Sequence, residues 1–182
     1  MPGPSPIYLT LLTSMFMHGG LAHIGGNLLY LWIFGDNVEN RFGHVRFLCF
    51  YFISGLVASF AQIAVSPDSV IPTLGASGAI SGVMGAYMVL FPRNKVNALI
   101  LYFMVSIPAV FVIGMWALTQ FVSGAGSIAE AGQAGGVAYM AHIGGFVAGV
   151  VMGLICRMQM KEEPDSAIRR GYVRDQTVKR WW

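Results

Sequence analysis

Long runs without a charged side chain constrain this chain more than any other feature. Residues 47–65 and 96–122 contain no Asp, Glu, Lys or Arg, and each run is close to or above the length of about 20 apolar residues that a helix needs to cross a bilayer. Of the 182 residues, 55% are hydrophobic and only 10% are charged, whereas soluble domains carry roughly 25% charged residues. The sequence therefore predicts an integral, multi-pass membrane protein that sits in a lipid bilayer and has no nucleic-acid partner.

Hydropathy predicts one transmembrane domain over residues 1–156, built as an all-α helical bundle, and a polar cytoplasmic tail over 157–182. Five spans are expected, at about 20–38, 46–66, 74–92, 96–122 and 136–156. Residues 7–17 are too few to cross a bilayer and are expected to form an interfacial helix. The Gly/Ala/Ser-rich stretch 123–135 is expected to be a mobile loop.

The placement of positive charge orients these five spans. All eleven Lys and Arg residues fall between spans one and two, between spans three and four, or in the tail. By the positive-inside rule these loops and the C-terminus are cytoplasmic, which puts the N-terminus outside. The residues ahead of the first span contain no basic residue with which to form a signal peptide. We therefore expect one further span ahead of Met1; the alternative is that the first span inserts by itself with its N-terminus outside, because the arginines lie at its cytoplasmic end. The compact architecture suggests a bacterial plasma membrane.

Polar side chains lie at a common depth in three of the predicted spans. His23 and Asn27 are four residues apart and share a helix face, Ser77 lies near the start of the third span, and His142 lies in the fifth. At about 1.5 Å of rise per residue, each lies roughly 5–10 Å below the outer surface. Polar side chains in a membrane are costly, and they either link helices or carry function. Their shared depth favours a single functional site.

The tetrapeptide at residues 75–78, Gly-Ala-Ser-Gly, has two interpretations. Small residues such as Gly75 and Gly78 let membrane helices pack closely, and glycines also make room around a nucleophilic serine. Ser77 would need a base to take its proton, and His142 has the chemistry of that base. Acyl transfer also needs donors for the oxyanion, which Asn, His and backbone N–H groups can supply. Because no acidic residue lies at this depth, the pattern indicates a Ser–His dyad.

Glycine spacing predicts how the two halves of this dyad meet. Gly145, Gly149 and Gly153 lie on one face of the fifth span and are expected to pack against the glycines of the third span, which would bring His142 beside Ser77. The sequence has no Cys/His cluster with metal-ligand spacing, so we expect neither a metal nor a cofactor. Its two cysteines are expected to be free thiols. The oligomeric state is left open.

These motifs together resemble the rhomboid family of intramembrane serine proteases. The matching residues occur in the family's order: His18-Gly19-Gly20-Leu21-Ala22-His23 with Asn27, Gly35 to Gly43 with Glu39, Gly75-Ala76-Ser77-Gly78, and Ala141-His142-Ile143-Gly144-Gly145. The resemblance implies a six-helix core, of which this chain holds helices two to six. It implies Ser77 as nucleophile and His142 as general base. His23, Asn27 and the Ser77 backbone N–H would form the oxyanion hole.

The resemblance also implies a substrate and a route to it. The substrate would be a transmembrane protein cut near the outer leaflet, and the span at 96–122, which we expect to carry no functional polar side chain, would act as a lateral gate. Two features depart from the family pattern. The first helix and the Trp-Arg pair of the following loop are absent, and Ser81 stands where an aromatic side chain often stacks on the base histidine. Tyr87 and Tyr139 are the candidates to replace that aromatic ring.

Two other functions stay open at this point. One is a catalytically inactive rhomboid-like protein that binds or chaperones membrane segments. The other is a transporter that uses His23, Asn27 and His142 as a polar pathway. A transporter of this kind would be expected to carry charged residues in the middle of its spans, and the sequence has none there, since Asp36 and Arg46 lie at the span ends predicted to be cytoplasmic.

Overall fold

The computed structural model describes residues 7–69, 72–129 and 137–159. Within these ranges the chain is mostly helical, with one small hairpin. The elements are α1 (Thr10–Thr13), α2 (Leu21–Phe42), α3 (His44–Val65), α4 (Ser77–Leu90), β1 (Lys95–Ile100), β2 (Phe103–Pro108), α5 (Ala109–Ala129) and α6 (Tyr139–Gln159). The polar tail from residue 160 onward and residues 130–136 of the predicted loop lie outside the described ranges.

Three of these helices, α3, α5 and α6, are long and apolar enough to cross a membrane. A fourth candidate is a bent pair, in which the short helical turns of Ile7–Phe16 meet α2 at 80°. The 14-residue α4 is apolar but shorter than a full span. The described residues thus form an integral membrane protein with three to four candidate spans, and the predicted count of five stays a prediction.

The span expected over 96–122 does not begin as a helix. β1 and β2 pair in antiparallel register, with Lys95 opposite Pro108 and Ile100 opposite Phe103. Pro108 fits this arrangement because a proline inside a helix would leave a backbone carbonyl without its partner, whereas a proline just ahead of the first helical residue does not. The helical expectation over 96–108 was wrong because hydropathy alone does not separate a short apolar strand from a helix.

The prediction of a loop over 123–135 was also wrong for its first seven residues. Residues 123–129 continue α5, which ends at Ala129. Glycine, alanine and serine indicate a loop in soluble proteins, but they are frequent in membrane helices because they allow close packing. A prediction from composition therefore placed the C-terminal end of α5 too early, at residue 122 instead of Ala129.

Helix α4 forms the centre of the molecule. Every residue from Gly78 to Tyr87 is buried, and α4 packs against α2, α3, α5 and α6. Its contact with α6 is the closest, as the glycine spacing predicted. A Cβ atom added to Gly145 would overlap the carbonyl oxygen of Gly78, and one added to Gly149 would overlap that of Gly82. The two backbones therefore touch at positions where only hydrogen atoms fit between them.

This packing predicts opposite effects for one substitution at two glycines. Gly149→Ala should destabilise the fold by about 1–3 kcal/mol or more, because the added methyl group meets backbone rather than a movable side chain. Gly114→Ala on α5 meets no atom within 4 Å and should be neutral or stabilising by up to about 1 kcal/mol, since alanine is the better helix former. Unfolding by denaturant in detergent micelles measures both. Equal stability of the two variants would contradict the packing described here.

Candidate active site

Ser77 is the first residue of α4, and a glycine turn brings the chain into that position. Gly75 has a φ of 113°, a conformation that side chains other than glycine rarely adopt. Its N–H donates to the Ser14 carbonyl at 2.9 Å, which ties this turn to the turns ahead of α2. The first N–H groups of a helix have no partner within the helix. Ser77 therefore combines a hydroxyl with nearby backbone donors.

His142 faces Ser77 from the first turns of α6. Its Nε2 lies 2.9 Å from Ser77 Oγ, within hydrogen-bond distance. The approach of Gly145, about one turn beyond His142, to Gly78, the residue after Ser77, permits this contact because larger side chains there would hold the helices apart. The structure thus brings together two residues 65 positions apart in the sequence.

The other ring nitrogen of His142 meets a residue that the sequence analysis did not single out. His142 Nδ1 lies 2.7 Å from Gln120 Oε1, on α5. An amide oxygen only accepts hydrogen bonds, so Nδ1 carries the proton and donates. In the neutral ring Nε2 is then free to accept from the Ser77 hydroxyl. The sequence did contain a signal for Gln120. It is a polar residue within an uncharged run predicted to cross the membrane, where a Gln without a hydrogen-bond partner is costly.

The aromatic partner of His142 is also on α5. The rings of Trp116 and His142 lie 5.9 Å apart with an angle of 42° between their planes. Tyr87, one candidate for this role, packs against Phe34 and Phe91 instead. Ser81, at the position where an aromatic side chain was expected, donates a hydrogen bond to the Ser77 carbonyl at 2.6 Å. The ring contact therefore comes from a different helix than the family pattern suggested.

Asn27 and His23 approach the site from α2. A Cβ atom on Gly75 would lie 2.7 Å from His23 Nε2 and 3.5 Å from Asn27 Nδ2, so both side chains border the turn before Ser77. Gly19 N–H donates to His23 Nδ1 at 3.3 Å, which leaves the proton of a neutral ring on Nε2. Asn27 is only 8% exposed, and its Nδ2 has no hydrogen-bond partner among the described residues. Two donors thus lie beside the turn that precedes Ser77 and line the same cavity as Ser77.

One open cavity of about 1770 Å³ joins these residues. It is lined by Ser77, His142, His23, Asn27, Trp116 and Tyr139, among others. Across the described ranges, no cluster of three His, Cys, Asp or Glu side chains has the arrangement of a metal site. The groups that face the cavity thus include the Ser77 hydroxyl, two imidazoles, the Asn27 amide and aromatic rings. They are suited to acid–base and nucleophilic chemistry.

The basic residues of the described chain lie at the opposite end of the helices. Arg41 is in the last turn of α2 and Arg157 is in the last turn of α6. Arg157 donates to the carbonyl of Val89, near the end of α4. The site and the positive charge therefore occupy opposite ends of the helix bundle.

The sequence of this region matches a known protein family. The family model of the Rhomboid domain matches residues 6–159. This chain therefore belongs to the rhomboid family, as the motifs indicated.

Curated relatives include both bacterial and mitochondrial proteins. The chain is 34% identical over 144 residues to the Rhomboid protease GluP of Bacillus subtilis, a match that covers 79% of this chain and 26% of that protein. It is 32% identical over 153 residues to Rhomboid protein 1, mitochondrial, of Saccharomyces cerevisiae, with coverage of 80% and 41%. The Presenilin-associated rhomboid-like protein, mitochondrial, of Homo sapiens is 29% identical over 102 residues, with coverage of 55% and 27%. The chain thus spans less than half the length of these relatives.

Proposed function

We propose that this protein is an intramembrane serine endopeptidase that cleaves transmembrane segments of other membrane proteins. The observation that carries the proposal is the 2.9 Å contact between His142 Nε2 and Ser77 Oγ. In this proposal Ser77 is the nucleophile and His142 the general base. Membership of the rhomboid family, which includes a relative called a protease, supports the same chemistry.

The reaction follows from the atoms that face each other. Ser77 Oγ attacks the carbonyl carbon of the substrate while its proton moves to His142 Nε2. When the tetrahedral intermediate collapses, the carbon–nitrogen bond breaks and His142 returns the proton to the departing amine. A water molecule then attacks the acyl ester and gives a proton to His142. Breaking the ester bond releases the carboxylic acid product, and the proton returns to Ser77.

Charge on the carbonyl oxygen needs donors during both halves of this reaction. Asn27 Nδ2 is buried and unpartnered among the described residues, which is costly unless a ligand oxygen meets it. We assign Asn27, His23 and the Ser77 N–H as the oxyanion donors. Gly75 is assigned a supporting role because a side chain there would displace His23, and because its φ of 113° is one that other residues rarely adopt. Gly78 and Gly145 support the site by holding α4 and α6 together.

The proposed substrate is a transmembrane segment that has locally unwound. A regular helix shields its peptide bonds, and Gly or Pro residues reduce the cost of opening it. The cavity of about 1770 Å³ has room for an extended stretch of polypeptide. Because the backbone around Ser77 is close-packed, we expect a small residue before the cleaved bond.

We further propose an orientation and a location. The described basic residues at the end opposite Ser77 favour a cytoplasmic position for that end and for the C-terminus. The cavity then opens toward the outer leaflet, where water enters. The similarity to a Bacillus subtilis protein supports a bacterial plasma membrane, and the mitochondrial relatives make an organellar membrane the alternative location.

Reaction with a fluorophosphonate serine probe tests the nucleophile and the base. Purified wild-type protein should be labelled, and Ser77→Ala and His142→Ala should each lose at least about 100-fold in labelling rate, because the hydroxyl is a weak nucleophile without its base. Labelling that persists in Ser77→Ala would contradict the assignment. Folded wild-type protein that takes no label would instead favour a rhomboid-like protein that binds membrane segments without cleaving them.

The oxyanion assignment predicts a second rate effect. Asn27→Leu keeps a side chain of similar size but removes the donor, and it should lower the turnover of a transmembrane substrate by about 10- to 1000-fold. Its thermal stability should not fall, because the wild-type Nδ2 has no hydrogen bond within the described chain to lose. Cleavage assays in proteoliposomes measure the rate. Wild-type turnover in a folded Asn27→Leu variant would remove Asn27 from the oxyanion hole.

A further inference from the structure

We propose that Gln120 is a positioning residue that fixes the proton on His142, so that Ser77, His142 and Gln120 act as one hydrogen-bonded chain. This inference rests on the proposed function and deepens it. The contacts run from Gln120 Oε1 to His142 Nδ1 at 2.7 Å and from His142 Nε2 to Ser77 Oγ at 2.9 Å. His142 thus donates a hydrogen bond to Gln120 through Nδ1 and accepts one from Ser77 through Nε2.

The geometry explains why a neutral amide serves at this position. A histidine can act as base toward Ser77 only if its other nitrogen holds the ring proton. In water either tautomer forms, but an acceptor at Nδ1 favours the reactive one. A carboxylate would supply the same acceptor with a charge, which is costly inside a membrane. The Gln120 amide provides the acceptor without that cost.

Neighbouring groups on α5 fix the direction in which Gln120 points. Its Nε2 donates to Thr119 Oγ1 at 3.1 Å, and Thr119 Oγ1 in turn donates to the Trp116 carbonyl at 2.7 Å. With its amide nitrogen engaged by Thr119, Gln120 presents its oxygen to His142. The Trp116 ring packs against the imidazole from the same helix. Helix α5 therefore orients the base that α6 carries.

Two variants of the full-length protein test this role. Gln120→Leu removes the acceptor and should lower the maximal rate of inactivation by a fluorophosphonate about tenfold or more, roughly the effect of one lost hydrogen bond to the base. The concentration for half-maximal inactivation should not change, since the probe does not need Gln120 to bind. Gln120→Glu keeps an oxygen acceptor at the same reach and should recover most of the rate. An unchanged rate in Gln120→Leu would overturn the proposal while leaving the Ser77 and His142 assignments intact.

A spectroscopic measurement separates this proposal from the proposed function, because it needs no activity. In protein labelled with ¹⁵N-histidine, the His142 signal is identified by its loss in His142→Ala. Wild type should show the ring protonated at Nδ1, and Gln120→Leu should shift the signal toward the other tautomer. The same tautomer in both proteins would overturn the proposal even if the enzyme is active. Equal unfolding midpoints for wild type and Gln120→Leu provide the control for folding.

An independent observation concerns the hairpin of β1 and β2, and from it we infer that the hairpin lies on the lipid of the leaflet at the basic end of the molecule. The side chains at its turn are largely exposed: Tyr102 is 95% exposed, Leu101 81% and Phe103 74%. Three consecutive exposed apolar side chains indicate an interaction surface. The hairpin connects α4 directly to α5, and so it lies where these helices leave the bilayer.

The register of the hairpin gives it one apolar and one more polar face. Successive side chains alternate between faces, so the pairs Val96–Ile107 and Ala98–Val105 share one face, and Lys95–Pro108 and Asn97–Ser106 share the other. Arg93 and Lys95 stand at the base, where they complement anionic headgroups. The two outer edges carry backbone groups that hydrocarbon cannot satisfy. Val96, on the apolar face, packs against the protein core, so the exposed turn is the part that reaches the lipid. These features together favour a position at the interface.

A fluorescent reporter on the full chain tests this position. In a variant with Cys49 and Cys156 changed to Ser, NBD is attached at Tyr102→Cys or, as a matched control, at Asn97→Cys on the polar face. In vesicles of phosphatidylglycerol and phosphatidylcholine, spin-labelled lipid should quench the reporter at position 102 at least about twofold more than the one at position 97. Aqueous iodide should show the reverse order. Strong iodide quenching and weak lipid quenching at position 102 would overturn the inference.

Discussion

The contact between the backbones of α4 and α6 is the constraint on which the rest of this structure depends. In a bilayer, helices gain little by hiding apolar surface from one another, and close van der Waals packing must hold them together. Here Gly145 meets the Gly78 carbonyl and Gly149 meets that of Gly82. The same approach that stabilises the pair sets the 2.9 Å distance between His142 and Ser77. Stability and reactivity therefore share one interface, and a change that loosens the helices acts on both.

The remaining helices supply what this pair lacks. Helix α2 contributes Asn27, a buried donor without a partner in the described chain, and α5 contributes Gln120 and Trp116 around the imidazole. A buried amide with no partner costs free energy in the unliganded protein. This unpartnered amide borders the open cavity that Ser77 and His142 also line. In the proposed mechanism the oxyanion donors are therefore in place before substrate binds, and little rearrangement is needed when charge develops.

Much of this arrangement could be predicted from the sequence, and the failures share a cause. The polar residues at a common depth and the glycine repeats carry local information. Together with the charge-based topology and the resemblance to the rhomboid family, they predicted the meeting of Ser77 with His142 and the packing of α4 on α6. The hairpin over 95–108 was not predicted, because apolar composition fits a strand and a helix equally. Trp116 and Gln120 were missed because their role depends on where α5 begins and how it is rotated. Shifting the start of that helix to Ala109 changes which side chains face His142, and only the three-dimensional arrangement fixes that start.

The hydrogen bond from Arg157 to the Val89 carbonyl, at 3.3 Å, acts at the far end of α4 and α6 from the site. Glycine has no side chain, so the packed faces of α4 and α6 carry few side chains that would prevent one helix from sliding along the other. A slide of one residue is about 1.5 Å, enough to carry His142 Nε2 out of reach of Ser77. The Arg157 side chain on α6 binds the last turn of α4. This contact fixes the axial position of the two helices relative to each other, far from Ser77 and His142. In the proposed mechanism, the basic end of the molecule thus contributes to the alignment of Ser77 and His142.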